Sequence, residues 1–330
     1  MPNTMNAIVQ NTYGSPESLS LQTIAKPPVS ANDVRVRVHA AALHIGDVFA
    51  VTGRPRLMRL YTGLFRPKTR VPGFDLSGVV EAVGAGVSAF KPGDAVFGVG
   101  RGTCAEYASV PEAQLAIKPA FLTFEEAASV PTSGLAALHG LHHAGALRRG
   151  QKVLINGAAG GVGTFAVQIA KAIGAEVTAV CSPRSVDLVR SIGADHVVDY
   201  TREDFTRSGR RYNLIFDNVE NHSLSDCRRA LMHSGTLVLN SGSGKSGLRL
   251  LVRVLWPIAL SPFVKHNLRR FLSRPNPTDL GVLKKLLDLR AITPVINLAF
   301  QLKDTPAALS YIESGRSRGK VVITIRSEYP

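Results

Sequence analysis

A chain of 330 residues has room for two domains, and a composition of 45% hydrophobic and 19% charged residues is globular, which excludes a disordered or fibrous protein. The 39 Lys and Arg against 24 Asp and Glu leave a net charge of +15. That field draws phosphorylated cofactors, nucleic acid and anionic membrane alike, but no nucleic-acid-binding motif accompanies it, so nucleic acid is not an expected partner.

Up to residue 122 the pattern predicts short strands broken by Gly and Pro: Ala7–Gln10, Asp33–Ala42, Asp75–Val83, Ala95–Gly98 and Ala105–Val110. This reads as a small barrel-like β domain. Thr132–Ala144 reads as a helix, with His139, His142 and His143 as interior or surface residues. The run Lys152–Gly163 then reads as a buried strand that turns on glycines into a helix over Thr164–Ile173. Strands follow at Glu176–Cys181, His196–Tyr200, Asn213–Asp217 and Thr236–Asn240, with helices at Ser185–Ile192 and Ser223–Met232 between them. Repeated βαβ units imply a parallel sheet with ligand at the carboxyl ends of its strands. Val295–Ala299, the helix Thr305–Glu313 and Lys320–Ile325 resume the earlier style. The predicted organisation is therefore a first domain over 1–122, a nucleotide-binding domain over 123–276, and a return to the first domain over 277–330, with the active site expected in the cleft between them.

The excess charge is concentrated in two segments that are basic and apolar together, Arg54–Arg70 and Leu248–Arg274. Membrane-surface attachment is one reading. Lids or subunit contacts with solvated cations are the other, and carry more weight. A membrane span is not expected, because Leu248–Val264 falls short of about 20 residues and contains Arg249, Arg253 and two prolines. Three scattered cysteines, Cys104, Cys181 and Cys227, fit neither a disulfide framework nor a zinc cluster. With no secretion signal at the first residues, they point to the cytoplasm.

The glycine turn carries the chemistry. Glycines allow a tight turn and close approach of backbone to phosphate, and a helix start offers unpaired N–H groups, so Ala159, Gly160, Gly161, Val162 and Gly163 are assigned to a dinucleotide pyrophosphate. An acid about 20 residues further on would mark NAD through the ribose hydroxyl. Here that position reads Cys181-Ser182-Pro183-Arg184. Arg184 and Ser182 suit a 2′-phosphate, which favours NADPH. Asn218 and Asn240 end two strands and either face the ribose and nicotinamide or cap those strands.

Several motifs in fixed order give the chain a family resemblance: Met5–Gln10, Pro72-Gly-Phe-Asp75-Leu-Ser-Gly78, Lys91-Pro-Gly-Asp94, Glu125–Gly134, Ala158–Gly163 and Arg318-Gly-Lys-Val-Val-Ile323. Over nearly its whole length the chain resembles the medium-chain dehydrogenase/reductase superfamily, within it the zinc-free quinone oxidoreductase-like and enone reductase branch. The resemblance implies an α/β protein with a GroES-like β-rich catalytic domain and a Rossmann doubly wound parallel sheet, a nicotinamide cofactor, and a homodimer through the Rossmann sheet edge. It also places Tyr200 against the 2′-phosphate. Zinc-binding members of the superfamily carry Cys near His44, His near Phe74 and Cys or an acid near Ser129. Phe74 cannot bind metal, so no metal site is expected.

The expected chemistry is hydride transfer to a lipophilic quinone or α,β-unsaturated carbonyl, with His44 donating to the developing oxygen, Asp47 orienting it, and Tyr61 as a further donor. Relatives often hold Asn at His44 and Tyr at Val48. Two other readings stay open: an NADP-linked alcohol dehydrogenase, and a low-turnover NADPH-binding protein with a regulatory or membrane-surface role.

Overall fold

A computed structural model describes residues 3–56, 59–240 and 265–326. In chain order its first elements are β1 (Thr4–Val9), β2 (Ser20–Ala25), β3 (Asp33–Leu43), α1 (Ile45–Thr52), α2 (Arg59–Thr62), β4 (Asp75–Val83), β5 (Ala95–Val99), β6 (Tyr107–Pro111) and β7 (Leu115–Ile117). There follow α3 (Phe124–Ala128), α4 (Pro131–Leu138), β8 (Lys152–Asn156), α5 (Gly161–Ile173), β9 (Glu176–Cys181), α6 (Val186–Ser191), β10 (His196–Asp199) and β11 (Tyr212–Asp217). The last are α7 (Leu224–Arg229), β12 (Leu231–Leu239), β13 (Asn267–Arg270), α8 (Pro277–Asp288), β14 (Ile296–Gln301), α9 (Thr305–Glu313) and β15 (Lys320–Thr324).

Two compact units emerge. The first comprises the described residues of Met1–Ser133, Pro275–Asp288 and Pro294–Pro330; the second those of Gly134–Arg274 and Leu289–Thr293. The expected boundary at 122 therefore moves to 133. Phe124 and Ala128 of α3 pack with Ala40, Ala42 and Val322 of the first unit, so the amphipathic start of this segment belongs to the sheet it covers. The boundary near 276 moves to 274, and Leu289–Thr293 rejoins the second unit, where Gln168 of α5 donates to Thr293 O at 2.9 Å and accepts from Thr293 N–H at 2.7 Å.

The first unit is built on a seven-stranded sheet ordered β14-β15-β3-β4-β5-β7, with β6 also paired to β3. Its pairings are antiparallel except β14 with β15. Register shifts between Arg35 and Val36 and between Val38 and Ala40 bend the long β3, as closing a sheet requires. Val34, Val36 and Val38 alternate inward onto Leu76, Val80, Val96 and Val110.

The second unit is a six-stranded sheet, every pairing parallel, in the order β10-β9-β8-β11-β12-β13. Numbered within the unit this is 3-2-1-4-5-6, the Rossmann order, and its switch point lies between β8 and β11. Strands buried on both faces read as continuous apolar runs, and Val153-Leu-Ile155 and Leu214-Ile-Phe216 are buried throughout. The helix expected over Ser223–Met232 ends at Arg229, because Leu231 already pairs with Tyr212 and joins the core around Ile215 and Leu237. Among the described residues no helix is long and apolar enough to cross a membrane.

Candidate functional site

In the second unit, β8 delivers the chain to Gly157, which takes a left-handed φ of 76°. α5 then begins at Gly161 behind an N-cap, Gly160, that offers no side chain. A thirteen-residue helix thus presents backbone N–H groups uncapped by any side chain, with the positive end of its dipole, at the carboxyl end of the central strand. The glycines do different work. A Cβ at Gly163 would collide with Gly157 O and the backbone of Ala158, so the fold requires glycine there. A Cβ at Gly160 would meet only Gly157 O, at 3.4 Å, so its bareness serves whatever approaches from outside.

Asn218 and Asn240 meet at this end of the sheet. Asn240 Nδ2 donates to Asn218 Oδ1 at 2.8 Å, and Asn218 Nδ2 donates to Asn156 O at 3.2 Å. Behind them Asp217 Oδ1 accepts from Asn156 Nδ2 at 2.8 Å, Val219 N–H at 3.0 Å and Glu220 N–H at 2.8 Å, while its buried Oδ2 has no hydrogen-bond partner. Glu220, buried and at a positive φ of 56°, pairs with Arg270 at 2.8 Å. Asn156, Asp217, Glu220 and Arg270 were not singled out from sequence. Polar residues ending otherwise apolar strands beside the glycine turn are the signal that marks Asn156 and Asp217.

Ser182 follows β9 and Tyr200 follows β10, and the pairing of Asp199 with Cys181 sets both at the same end of neighbouring strands. Tyr200 N–H donates to Cys181 O at 3.3 Å, and its side chain is exposed, as is that of Arg184. Ser185, missed from sequence, lies with its hydroxyl 3.2 Å from that of Ser182. Asp199, the acid that ends β10, is engaged in its own turn, accepting from Thr201 N–H at 2.9 Å and Thr201 Oγ1 at 2.7 Å. Burial, with the Asp199 charge behind it, pushes the Cys181 thiol up to about 11.

The first unit holds His44, the N-cap of α1. Its Nδ1 accepts from Gly46 N–H at 2.9 Å, and Asp47 Oδ2 accepts from the His44 backbone N–H at 2.8 Å, closing a capping box. Asp47 was expected to orient the imidazole. It does not: ring Nδ1 and Oδ2 stand 3.6 Å apart, beyond hydrogen-bond range, and Gly46 N–H fixes the ring while Asp47 fixes the backbone. The consequence is a defined tautomer. With Nδ1 accepting, the neutral imidazole carries its proton on Nε2, which is buried and unpartnered. Phe74 stacks on the ring, centroids 5.6 Å apart and planes 14° from parallel, where a metal-binding relative would have a ligand.

Asp47 is fully buried, and desolvation lifts its pKa above the ordinary carboxylate range; His44 and its backbone N–H oppose that shift, Asp75 adds to it, and Lys320 opposes it. Burial, then the Asp47 charge, drives the Cys104 thiol well above its usual value, an environment for an inert thiol rather than a thiolate ligand. Behind this lies a network that sequence reasoning missed. Asp75 Oδ1 accepts from Thr132 N–H at 3.0 Å and from Thr132 Oγ1, Asp75 Oδ2 faces Lys320 Nζ at 3.3 Å, and Lys320 also reaches Ser133 Oγ at 3.1 Å. Tyr61 lies in α2, and its side chain is outside the described residues, as are residues 248–264 of the second basic-apolar segment. His139 is buried with Ser273 Oγ 3.0 Å from its Nδ1, and His142 and His143 are exposed.

A Rossmann sheet with an open glycine cradle, in one chain with a GroES-like unit, defines a nicotinamide-dependent oxidoreductase. The comparisons agree: residues 30–120 match the alcohol dehydrogenase GroES-like domain and residues 192–323 the zinc-binding dehydrogenase domain. The chain is 31% identical, over 98% of its length and 80% of the relative's, to 2-methylene-furan-3-one reductase of Solanum lycopersicum. It is 30% identical over the same shares to the chloroplastic NADPH-dependent alkenal/one oxidoreductase of Arabidopsis thaliana. Among solved structures, a quinone oxidoreductase from Coxiella burnetii superposes with a TM-score of 0.84 at 28% identity, covering 98% of this chain and 100% of the other. The chain belongs to the medium-chain dehydrogenase/reductase superfamily, in its quinone oxidoreductase-like branch.

Proposed function

We propose that this protein is a zinc-independent, NADPH-dependent reductase of quinones or α,β-unsaturated carbonyls. The observation that carries the reading is the buried, unpartnered Nε2–H of His44, a donor held ready for an oxygen and stacked on an aromatic ring where metal chemistry would need a ligand. The open approach at Gly160 and the orphaned Asp217 Oδ2 support a bound dinucleotide in the second unit. When bound, NADPH supplies the hydride. The α5 N–H groups hold the pyrophosphate, Arg184, Ser182 and Tyr200 take the 2′-phosphate, and Asn218 and Asn240 set the ribose and nicotinamide. His44 Nε2–H stabilises negative charge as it develops on the substrate oxygen, and Gly46 keeps the ring in the donating tautomer. The two relatives named as enone and alkenal reductases, and the quinone oxidoreductase fold, point to the substrate class.

We further assign it to the cytoplasm, on three buried cysteines that form no disulfide among the described residues, and to a homodimer, the state that family membership favours. The deciding experiment follows NADPH absorbance with quinones, alkenals, cyclic enones and aldehydes, with and without chelator. Turnover of quinones or enones that survives chelator is expected; turnover confined to aldehydes or alcohols, or lost with chelator, overturns the reading. In the same assay Arg184→Glu is expected to raise the KM for NADPH about tenfold or more and to leave that for NADH nearly unchanged. An unchanged NADPH KM removes Arg184 from the site.

A further inference from the structure

We propose that the loop between α1 and β4 is a docking surface for anionic lipid bilayers. From Val48 to Phe74 the chain contains no Asp or Glu and carries Arg54, Arg56, Arg59, Arg66, Lys68 and Arg70. Two of these cations are engaged with the rest of the first unit: Arg59 donates to Gly53 O at 3.1 Å and lies 4.5 Å over the Tyr13 ring, and Arg70 donates to Asn11 Oδ1 at 2.8 Å. The side chains of Arg54, Arg56, Arg66 and Lys68 are exposed and make no hydrogen bond or ion pair among the described residues. Set among them are three large apolar side chains in water, Leu60 at 62%, Leu64 at 57% and Phe65 at 88% exposure.

Their exposure belongs to a well-tied loop. Tyr13 Oη donates to Gly63 O at 2.6 Å and lies 2.7 Å from Thr62 Oγ1. Lys68 N–H donates to Thr62 O at 2.7 Å, and Gly63 N–H to Arg59 O at 2.8 Å. Gly63 holds a φ of 122° and has no room for a side chain, since a Cβ would strike Arg66 O. The chain thus turns back on itself at Thr62–Lys68, and the tip holds Leu64, Phe65 and Arg66 outward.

Charge complementarity selects the occupant. Exposed cations and exposed apolar side chains in one loop want anions and hydrocarbon together, which the headgroup and acyl boundary of an anionic bilayer supplies. A protein partner would have to set acids between apolar pockets at the same interval. A second copy of this face, acid-free, would repel itself.

The full-length protein is sedimented with vesicles of phosphatidylcholine alone and of phosphatidylcholine with phosphatidylglycerol, at low and high salt. Binding is expected only to the anionic vesicles, and is expected to weaken at high salt. Leu64→Ser with Phe65→Ser, and separately Arg66→Glu with Lys68→Glu, are each expected to weaken it about tenfold. NADPH affinity and melting temperature should hold in both variants. Equal binding to neutral vesicles, no binding to either, or variants that bind like the parent overturn the proposal. So does a variant effect confined to oligomeric state or to capture of a protein.

Discussion

Gly160 and Gly163 lie three residues apart in one motif, yet the structure separates their roles. Gly163 has no space for a Cβ, so Gly163→Ala is expected to destabilise the fold by about 1–3 kcal/mol, measured by denaturant unfolding. Gly160 has that space, so Gly160→Ala is expected to cost no more than about 1 kcal/mol of stability while weakening NADPH binding about tenfold, read by fluorescence titration. The reverse pattern would show that the cradle does not face the cofactor. Asp47 makes a second test, through pH. Burial raises its pKa in the folded state, so its contribution to stability is fully present below the unfolded value of about 3.9 and is lost as pH rises through the raised folded value. Asp47→Asn keeps an acceptor for the His44 N–H and removes the ionisation. Its stability relative to the parent is therefore expected to improve as pH climbs from about 4 toward neutrality. Unfolding curves that differ by a constant amount across that range would count against a buried carboxylate strained by desolvation.

At the scale of elements, α4 begins where Asp75 at the head of β4 accepts from Thr132, and Lys320 at the head of β15 meets the same carboxylate. The pair is almost completely buried, with side chains 1% and 0% exposed, so removing one partner leaves a charge without solvent. Lys320→Met is expected to cost about 3–5 kcal/mol, and adding Asp75→Asn to recover part of that loss; additive costs in the double-mutant cycle would deny the coupling. None of this was legible from sequence, because Asp75 and Lys320 lie far apart along the chain and each sits in a motif that reads as plain strand. What was legible was local. β9, β4 and α9 match their expected bounds because apolar periodicity and flanking Gly or polar caps define them without tertiary help. The glycine turn was legible for the same reason. β2 escaped because its side chains alternate only between exposed and half-buried, leaving no apolar stripe to find. The role given to Asp47 failed because spacing shows that two residues are close, not which atom accepts from which.

For the whole molecule the informative quantity is charge. A net charge of +15 sets up a field that reaches beyond any single contact, and NADPH carries one phosphate more than NADH. If the field guides the cofactor, its effect lies in the association rate and is screened as the Debye length falls from roughly 30 Å at 0.01 M salt to about 8 Å at 0.15 M. Stopped-flow binding is therefore expected to show the NADPH association rate falling about tenfold over that range and the NADH rate falling less, with the change in association larger than the change in dissociation for both cofactors. Short-range recognition by Arg184 alone predicts something different, because an ion pair lost to salt shows in dissociation. Equal salt slopes for the two cofactors would mean that the excess cations do not act on the 2′-phosphate, leaving the lipid-facing loop as the place where that charge is used.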